Sequence, residues 1–397
     1  MSACIGQNVS VDDPTLHAVA VTIHIVPDTA NAATEIQQLG WSGGVPGATV
    51  VLRSTDSASV VLDSGQTDAN GNLNVGIVPH GNYRVTIRRL LGAADRTLLQ
   101  PTSSLEAFVL DGDVPLGNAS TVTVAALAST RGSLLTSEWF FWPGYYGQYS
   151  YETGGYWKLY NNADTTVYLD GLLLGEGFLQ TIETQLQTCA VAAQQFLPAD
   201  GAWAAQLNQF PGTGRQFPLP SGQSVLIATD AIDHRPLFQN ALDLRDAAFE
   251  FIGPADVDNP SVPNMVWLGP QRSREGHGES FFSLGGVPLI ALPLDTGSLA
   301  RKVDQGGNAY FKLPASDILD VAALRYFNSY GHVECPALVN PSLNRDVLDA
   351  GYGSDPFIVS EHRRILYTRS DGRQILSNTR SSRTDFVDGQ RTPTAIP

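Results

Sequence analysis

Lysine is almost absent from this chain of 397 residues, occurring only as Lys158, Lys302 and Lys312. Charged side chains of both signs make up 16%, and the acidic ones prevail to leave a net charge of -15. Phosphate recognition needs concentrated positive charge, so no nucleic-acid partner is expected. No apolar run reaches the roughly 18 residues of a membrane-spanning helix, so no transmembrane segment is expected either. The common catalytic signatures are also missing: there is no G-x-S-x-G elbow, no H-E-x-x-H and no G-x-x-x-x-G-K-[ST]. Gly276-His277-Gly278-Glu279-Ser280 lacks the elbow's spacing and reads as a polar loop. Asp233-His234 could orient an imidazole, but after the strand-like residues 224–229 it reads more simply as a hydrogen-bonded turn. No enzymatic activity and no cofactor is expected.

What is present points to short strands. Gly and Pro are plentiful, at 38 and 24, and 43% of the residues are hydrophobic, enough for real cores. The length predicts more than one domain. Residues 1–16 are polar and turn-like, a flexible N-terminal segment. Residues 17–26, HAVAVTIHIV, alternate cleanly, with Val19, Val21, Ile23 and Ile25 on one face of a strand. Residues 27–46 read as a loop rich in Ala, Gly and Asn. Further on, YWKLYNNADTTVYLDGLLLGE at 156–176 reads as strand, Asn/Asp turn, strand. Its Asp170 and Glu176 read as turn and edge polar groups. Residues 181–196 carry the spacing of a short helix, and 317–327 that of a second helical turn. The expected class is mainly β: two or more β-sandwich domains, immunoglobulin-like or transthyretin-like, with one or two short helices.

Two resemblances refine this. The run GATVVL at 47–52, followed by TDANGNLNVGIVPHGNYRVTI at 67–87, resembles the carboxypeptidase-regulatory-like or Cna-B-type β-sandwich. Asn70-Gly71 has the residue types of a tight hairpin turn, and Tyr83, Val85 and Ile87 would point inward from the closing strand. The likeness covers residues 17–130 and implies a stalk, binding or assembly module. From SEWFFWPG at 137–144 through the 156–176 stretch, FPLPSGQSVLIATDAIDH at 217–234, ADVDNPSVPNM at 255–265, KLPASDILDVAAL at 312–324, PSLNRDVLDAGYG at 341–353 and RRILYTRSDGRQILSNTRSSRTDF at 363–386, the chain resembles a domain-of-unknown-function family. That family is known from surface lipoproteins, chiefly of Bacteroidota. The same region, 131–397, also resembles the lamin-tail type of immunoglobulin-like sandwich. These likenesses imply an extracellular or outer-surface location and no agreed activity.

Several residues are candidates for function. Met1-Ser2-Ala3-Cys4 resembles the end of a bacterial lipoprotein signal, making Cys4 a lipidation candidate; the other reading is an initiator Met and an incidental Cys. Outside the cell, Cys189 and Cys335 could pair as a disulfide. Asn8 and Asn118 stand in N-x-[ST] patterns, while Thr29, Ser57 and Thr165 follow Asp in a pattern resembling Bacteroidota O-glycosylation. Asp256 and Asp258 offer alternate hard oxygen ligands for a cation, but an Asx-type turn before Pro260 explains them more simply. Tyr145, Tyr146, Tyr149 and Tyr151, in a glycine-flanked loop, could form an exposed contact surface for sugar rings or a partner; Phe140 and Trp142 read as core.

The leading expectation is a structural subunit of an extracellular fibre or surface assembly, with further copies of itself as partners. It would polymerise head to tail, with the N-terminal strand at 17–26 completing a neighbour's sheet. Arginines at 363, 364, 369, 373, 380, 383 and 391 make the last stretch basic, a complement to an acidic neighbour. In the alternative, strand and arginines close the protein on itself. The runner-up function is a non-catalytic surface-lipoprotein module binding carbohydrate or peptide, with glycans as partners.

Overall fold

The computed structural model describes residues 19–55, 61–117, 119–140, 144–146, 149–151, 154–177, 198, 200–236, 241–251, 258–269, 287–303, 309–326, 339–350 and 359–393. The chain divides into two compact units after Thr130. Both are built mainly of strands.

In the first unit come β1 (Val19–Pro27), α1 (Ala33–Leu39), β2 (Thr49–Ser54), β3 (Val61–Gln66), β4 (Asn72–Val78), β5 (Gly81–Leu90), α2 (Ala93–Leu98), β6 (Leu105–Leu116) and β7 (Thr121–Thr130). They form one sheet in the order β3-β2-β5-β6-β7-β1-β4. It curls into a nearly closed barrel, for β3 and β4 come alongside each other without sharing a ladder. The alternation of β1 buries Val21, Ile23 and Ile25 completely, each worth about 1.5–3 kcal/mol. They meet Tyr83, Val85 and Ile87 of β5, which point inward as expected.

Two local expectations change. Residues 27–46 are not all loop, because Ile36 and Leu39, spaced i and i+3, bury one face of α1, which Gly40 ends in a left-handed cap at φ 70°. The Asn70-Gly71 turn does not close a hairpin between paired strands. The Asp68 carboxylate accepts the backbone N–H groups of Asn70 and Asn72 at 2.8 Å each, and the turn hands the chain from β3 on one border of the sheet to β4 on the other.

The second unit begins with β8 (Leu134–Phe140), β9 (Gly144–Tyr146), β10 (Tyr149–Tyr151), β11 (Tyr156–Asn161), β12 (Val167–Tyr168), β13 (Leu173–Gly177) and β14 (Gly201–Gln209). Then follow β15 (Pro218–Leu219), β16 (Ser224–Ala228), β17 (Phe249–Glu250), β18 (Val266–Gly269), β19 (Pro288–Ala291), β20 (Arg301–Val303) and β21 (Ala309–Pro314). The last are β22 (Ile318–Val321), β23 (Leu324–Tyr326), β24 (Leu348–Ala350), β25 (Val359–Arg363), β26 (Ile365–Thr368), β27 (Gln374–Leu376), α3 (Ser382–Asp385) and β28 (Phe386–Gln390). One sheet runs β17-β16-β11-β8-β25-β28, and a second runs β20-β21-β14-β13-β19-β22 with β18 added to β14. Trp139, Trp157 and Leu159 from the first pack with Leu174 and Ile290 from the second, which makes the unit a sandwich. The two indoles meet edge to face at 5.1 Å.

The strand–turn–strand reading of 156–176 holds for the elements and fails for their pairing. β11 pairs with β8 and β16, while β13 pairs with β14 and β19 in the opposite sheet. The Asn/Asp turn between them is a crossover, not a hairpin. The described part of 317–327, up to Tyr326, forms no helix beyond a 3-10 turn at Ala315–Asp317; β22 and β23 follow, because Asp320 and Val321 are drawn into the sandwich. The helix expected at 181–196 lies outside the described residues.

Candidate functional site

Three turns at one end of the sandwich enclose a polar cleft of about 690 Å³. The first is the crossover itself. Asn161 donates through Nδ2 to the carbonyls of Thr165 and Leu219, at 2.8 Å each. Asn162 Oδ1 accepts the backbone N–H of Leu376 at 2.9 Å, tying the turn to β27. Small polar side chains that satisfy nearby backbone are what such a turn requires. The second turn, at 220–223, has Gly222 at φ +77°, and a Cβ there would stand 2.7 Å from Arg373 Cγ. The third is the tight turn between β26 and β27, where Arg369 N donates to Arg373 O at 2.8 Å.

Three guanidinium groups converge on Asp164. Arg369 Nη1 reaches its carboxylate at 2.8 Å, and Arg131 and Arg373 also pair with it. Arg373 further donates to Ala163 O at 3.0 Å and to Ser221 Oγ. Partial burial pushes the Asp164 carboxyl up, but Arg373, Arg131 and Arg369 together hold it below the usual range. Tyr160, in the wall, donates to Gln374 O at 2.6 Å, and burial raises its phenol. The cleft is polar, and several of its wall side chains are anchored to backbone carbonyls.

A second cluster lies inside the unit. Glu138 and Lys158 stand directly opposite on β8 and β11, both buried, with Nζ 3.0 Å from Oε2. Glu138 also accepts from Tyr156 OH, from Ser360 Oγ at 2.8 Å, and from the N–H of Thr392 at 2.8 Å. Burial pushes its carboxyl up; Lys158, Thr392 and Tyr156 outweigh that and hold it low. Burial lowers the Lys158 ammonium and raises the Tyr156 phenol, the latter with help from the Glu138 charge. Ser360 Oγ lies 2.8 Å from His362 Nε2, which suggests a nucleophile and base. That nitrogen, however, donates to Gln390 O at 2.8 Å, and Ser360 gives its proton to Glu138, so no proton relay toward the hydroxyl is set up. The cluster clasps the segment after β28: Lys158 reaches Thr392 O, and Thr392 Oγ1 donates to Glu138.

The residues singled out in the sequence are scattered. Val21, Ile23 and Ile25 sit in the first core and Val19 at its exposed margin, on a strand hydrogen-bonded at both edges. That is the self-closing arrangement. Tyr145, Tyr146, Tyr149 and Tyr151 lie on β9 and β10, a two-stranded hairpin separate from both large sheets, with Tyr149 registered against Tyr146. Thr29 and Thr165 are exposed. Asp258 is exposed and accepts from Asn264 Nδ2 at 2.7 Å. Cys4, Asn8, Ser57, Asn118, Cys189, Cys335 and Asp256 lie outside the described residues. His234 is buried with Nε2 at 2.9 Å from Asp230 O, while Asp233 turns away to Arg235. Asp170 accepts the N–H groups of Gly214, Gln216 and Phe217, fixing the loop before β15. The basic C-terminal stretch is not one surface, since Arg363 is buried against Asp320 while Arg369 and Arg373 line the cleft. Sequence reasoning missed the buried pair, although lone charges inside LLTSEWFFW and YWKLY were the available signal.

Fold and cleft together define a mainly β protein of two units, the second a sandwich with a polar cleft at its turns. No family model matches the chain, and no curated protein does. Among solved structures it is similar to a DUF4876 family protein from Bacteroides thetaiotaomicron VPI-5482, at 16% identity and a TM-score of 0.52, over 93% of this chain and 94% of that one. That likeness is one of fold. A candidate adhesin from Bacteroides ovatus shares 12% identity over 40% of this chain and 55% of that one, with a TM-score of 0.18.

Proposed function

We propose that the protein is a non-catalytic structural subunit of an extracellular or outer-surface assembly, adding copies head to tail. The observation that supports this reading is the seam of the first unit. β3 and β4 are both border strands, and Val61, Leu62 and Ile77 stand 52%, 50% and 73% exposed along them. Unpaired edges with apolar side chains are templates for strand addition, and natural proteins usually shield them. A donor segment entering such an edge makes a heterologous contact that does not close, which yields filaments. The donor in this reading lies before Val19, because β1 is already an interior strand, paired with both β4 and β7. The surface location rests on the family resemblance, and lipid at Cys4 with glycans at the exposed Thr29 and Thr165 belongs to the same reading.

Deleting residues 1–18 tests it while leaving β1 and the core residues from Val21 onward in the chain. Full-length protein is expected to form fibres by negative-stain microscopy, and the deletion to leave monomers. Leu62→Lys with Ile77→Lys, which charges the edges, is expected to do the same. A monodisperse full-length monomer at high concentration would sink the proposal. A second reading, a binding module for carbohydrate or peptide, is supported by the polar cleft and is compatible with the first.

A further inference from the structure

We infer that the cleft over Asp164 binds an acidic sugar, with Arg369 receiving its carboxylate and Asp371 and Gln223 its hydroxyl groups. The inference rests on the binding-module reading and commits it to a place and a ligand class. Charge comes first. Arg131, Arg369 and Arg373 face Asp164, and Asp371 joins them at 3.8 Å from Arg369 Nε. Three cations against two carboxylates leave one positive charge over, in a chain whose net charge is -15. A monoanion balances that surplus, whereas a phosphate dianion overshoots it beside two carboxylates.

Hydrogen-bonding capacity points the same way. Arg369 spends Nη1 on Asp164 and directs Nε toward Asp371, which leaves Nη2 of a partly exposed guanidinium for an incoming carboxylate. Arg373 shapes the wall instead: Nη1 donates to Ala163 O and Ser221 Oγ, Nη2 to Asp164, and Nε is buried. Asp371 accepts the backbone N–H of Arg373 through Oδ1 at 3.0 Å and is exposed enough to accept hydroxyl donors as well, while the Gln223 amide can donate or accept. One carboxylate surrounded by several hydroxyl donors is the description of a hexuronic acid. A cleft of about 690 Å³ lies within the range of small-ligand sites and holds one such residue of a chain with room for its neighbour. The walls are held in place before any ligand arrives. Tyr160 is tied to Gln374 and Asn162 to β27, so little ordering remains to be done on binding.

Calorimetric titration of the whole chain with an oligomer of galacturonic acid, and with the uncharged galactose oligomer of equal length, tests this. Binding of the uronate alone is expected, weakening as salt is raised. Arg369→Ala is expected to weaken it about tenfold or more, the scale of one charge-assisted hydrogen bond. Arg369→Lys, which keeps the charge and loses the fork, should fall between. Circular dichroism identical to the parent excludes misfolding as the cause. Equal binding of both oligomers, lost on Gln223→Ala but not on Arg369→Ala, would overturn the acidic-sugar inference while leaving a sugar-binding cleft. Binding of neither oligomer would overturn both.

Discussion

Arg363→Ala is expected to cost the second unit about 3–5 kcal/mol, a large share of the roughly 5–15 kcal/mol that typically keeps a protein folded. Arg363 is buried, with its guanidinium 1% exposed. Nη2 lies 2.7 and 2.8 Å from the two oxygens of Asp320, Nε donates to Thr136 O at 2.7 Å, and Nη1 to Ser377 O at 3.0 Å. The group also stacks over Phe386 at 4.6 Å and faces Asp385 at 3.7 Å. Asp320 belongs to β22 of one sheet and Arg363 to β25 of the other, so the pair spans the sandwich. Alanine would leave Asp320 and Asp385 as buried carboxylates without their cation. Burial already raises the Asp385 carboxyl, and Arg363 is foremost among the groups opposing that rise. Urea denaturation followed by the fluorescence of Trp139 and Trp157 should show a large fall in midpoint. Arg363→Met combined with Asp320→Leu should regain part of the loss, since an apolar pair removes the orphaned charge at that position. A loss below about 1 kcal/mol for the alanine variant would show that the pair does not hold the sheets together.

Glu361→Gln is expected to make the protein more stable than the parent at alkaline pH and leave it nearly unchanged in acid. Glu361 is buried on β25 and registered against Asp388 on β28. Burial, then the Asp388 charge and a hydrogen bond with Asp388, push its carboxyl up to about 9 from an ordinary 4.5. The folded state therefore binds a proton that the unfolded chain has released, at every pH between those values. Its contribution is fully present below about pH 4.5 and is lost as pH rises through about 9. The slope is at most about 1.4 kcal/mol per pH unit. Glutamine mimics the protonated acid and has nothing to lose. Denaturation of parent and variant from pH 5 to 9 checks this, and parallel curves would refute it. Glu138 works with the opposite sign: its lowered carboxyl favours folding above about 4.5 and stops doing so as acid takes pH through its folded value.

Much of the first unit was legible because its signals are local. β1 shows unbroken alternation, β5 places Tyr83, Val85 and Ile87 on one face, and Asp68 to Asn72 carries turn chemistry. Each depends only on neighbours within a few residues, and each appears in the structure as an element. The short helix α1 was hidden because two buried residues, Ile36 and Leu39, make a weak period among Ala and Gln. The cleft was not legible. Asp164, Ser221 and Arg373 lie in three separate stretches, and nothing local says that their turns meet. The arginines could be counted as a basic tail, but not divided into a buried sheet-spanning cation and two cleft walls.

By itself the sequence determined that this is a mainly β protein, with strands and polar turns largely where their alternation and turn residues put them. Strand existence is a matter of period and propensity, which any short window carries. Tertiary structure alone decided the pairing: that β11 and β13 part to opposite sheets, that β1 is enclosed by β4 and β7, and that Glu138 meets Lys158 under Thr392. Every strand offers the same row of N–H and C=O groups to any other, so the choice among partners falls to packing and charge between residues far apart in the chain.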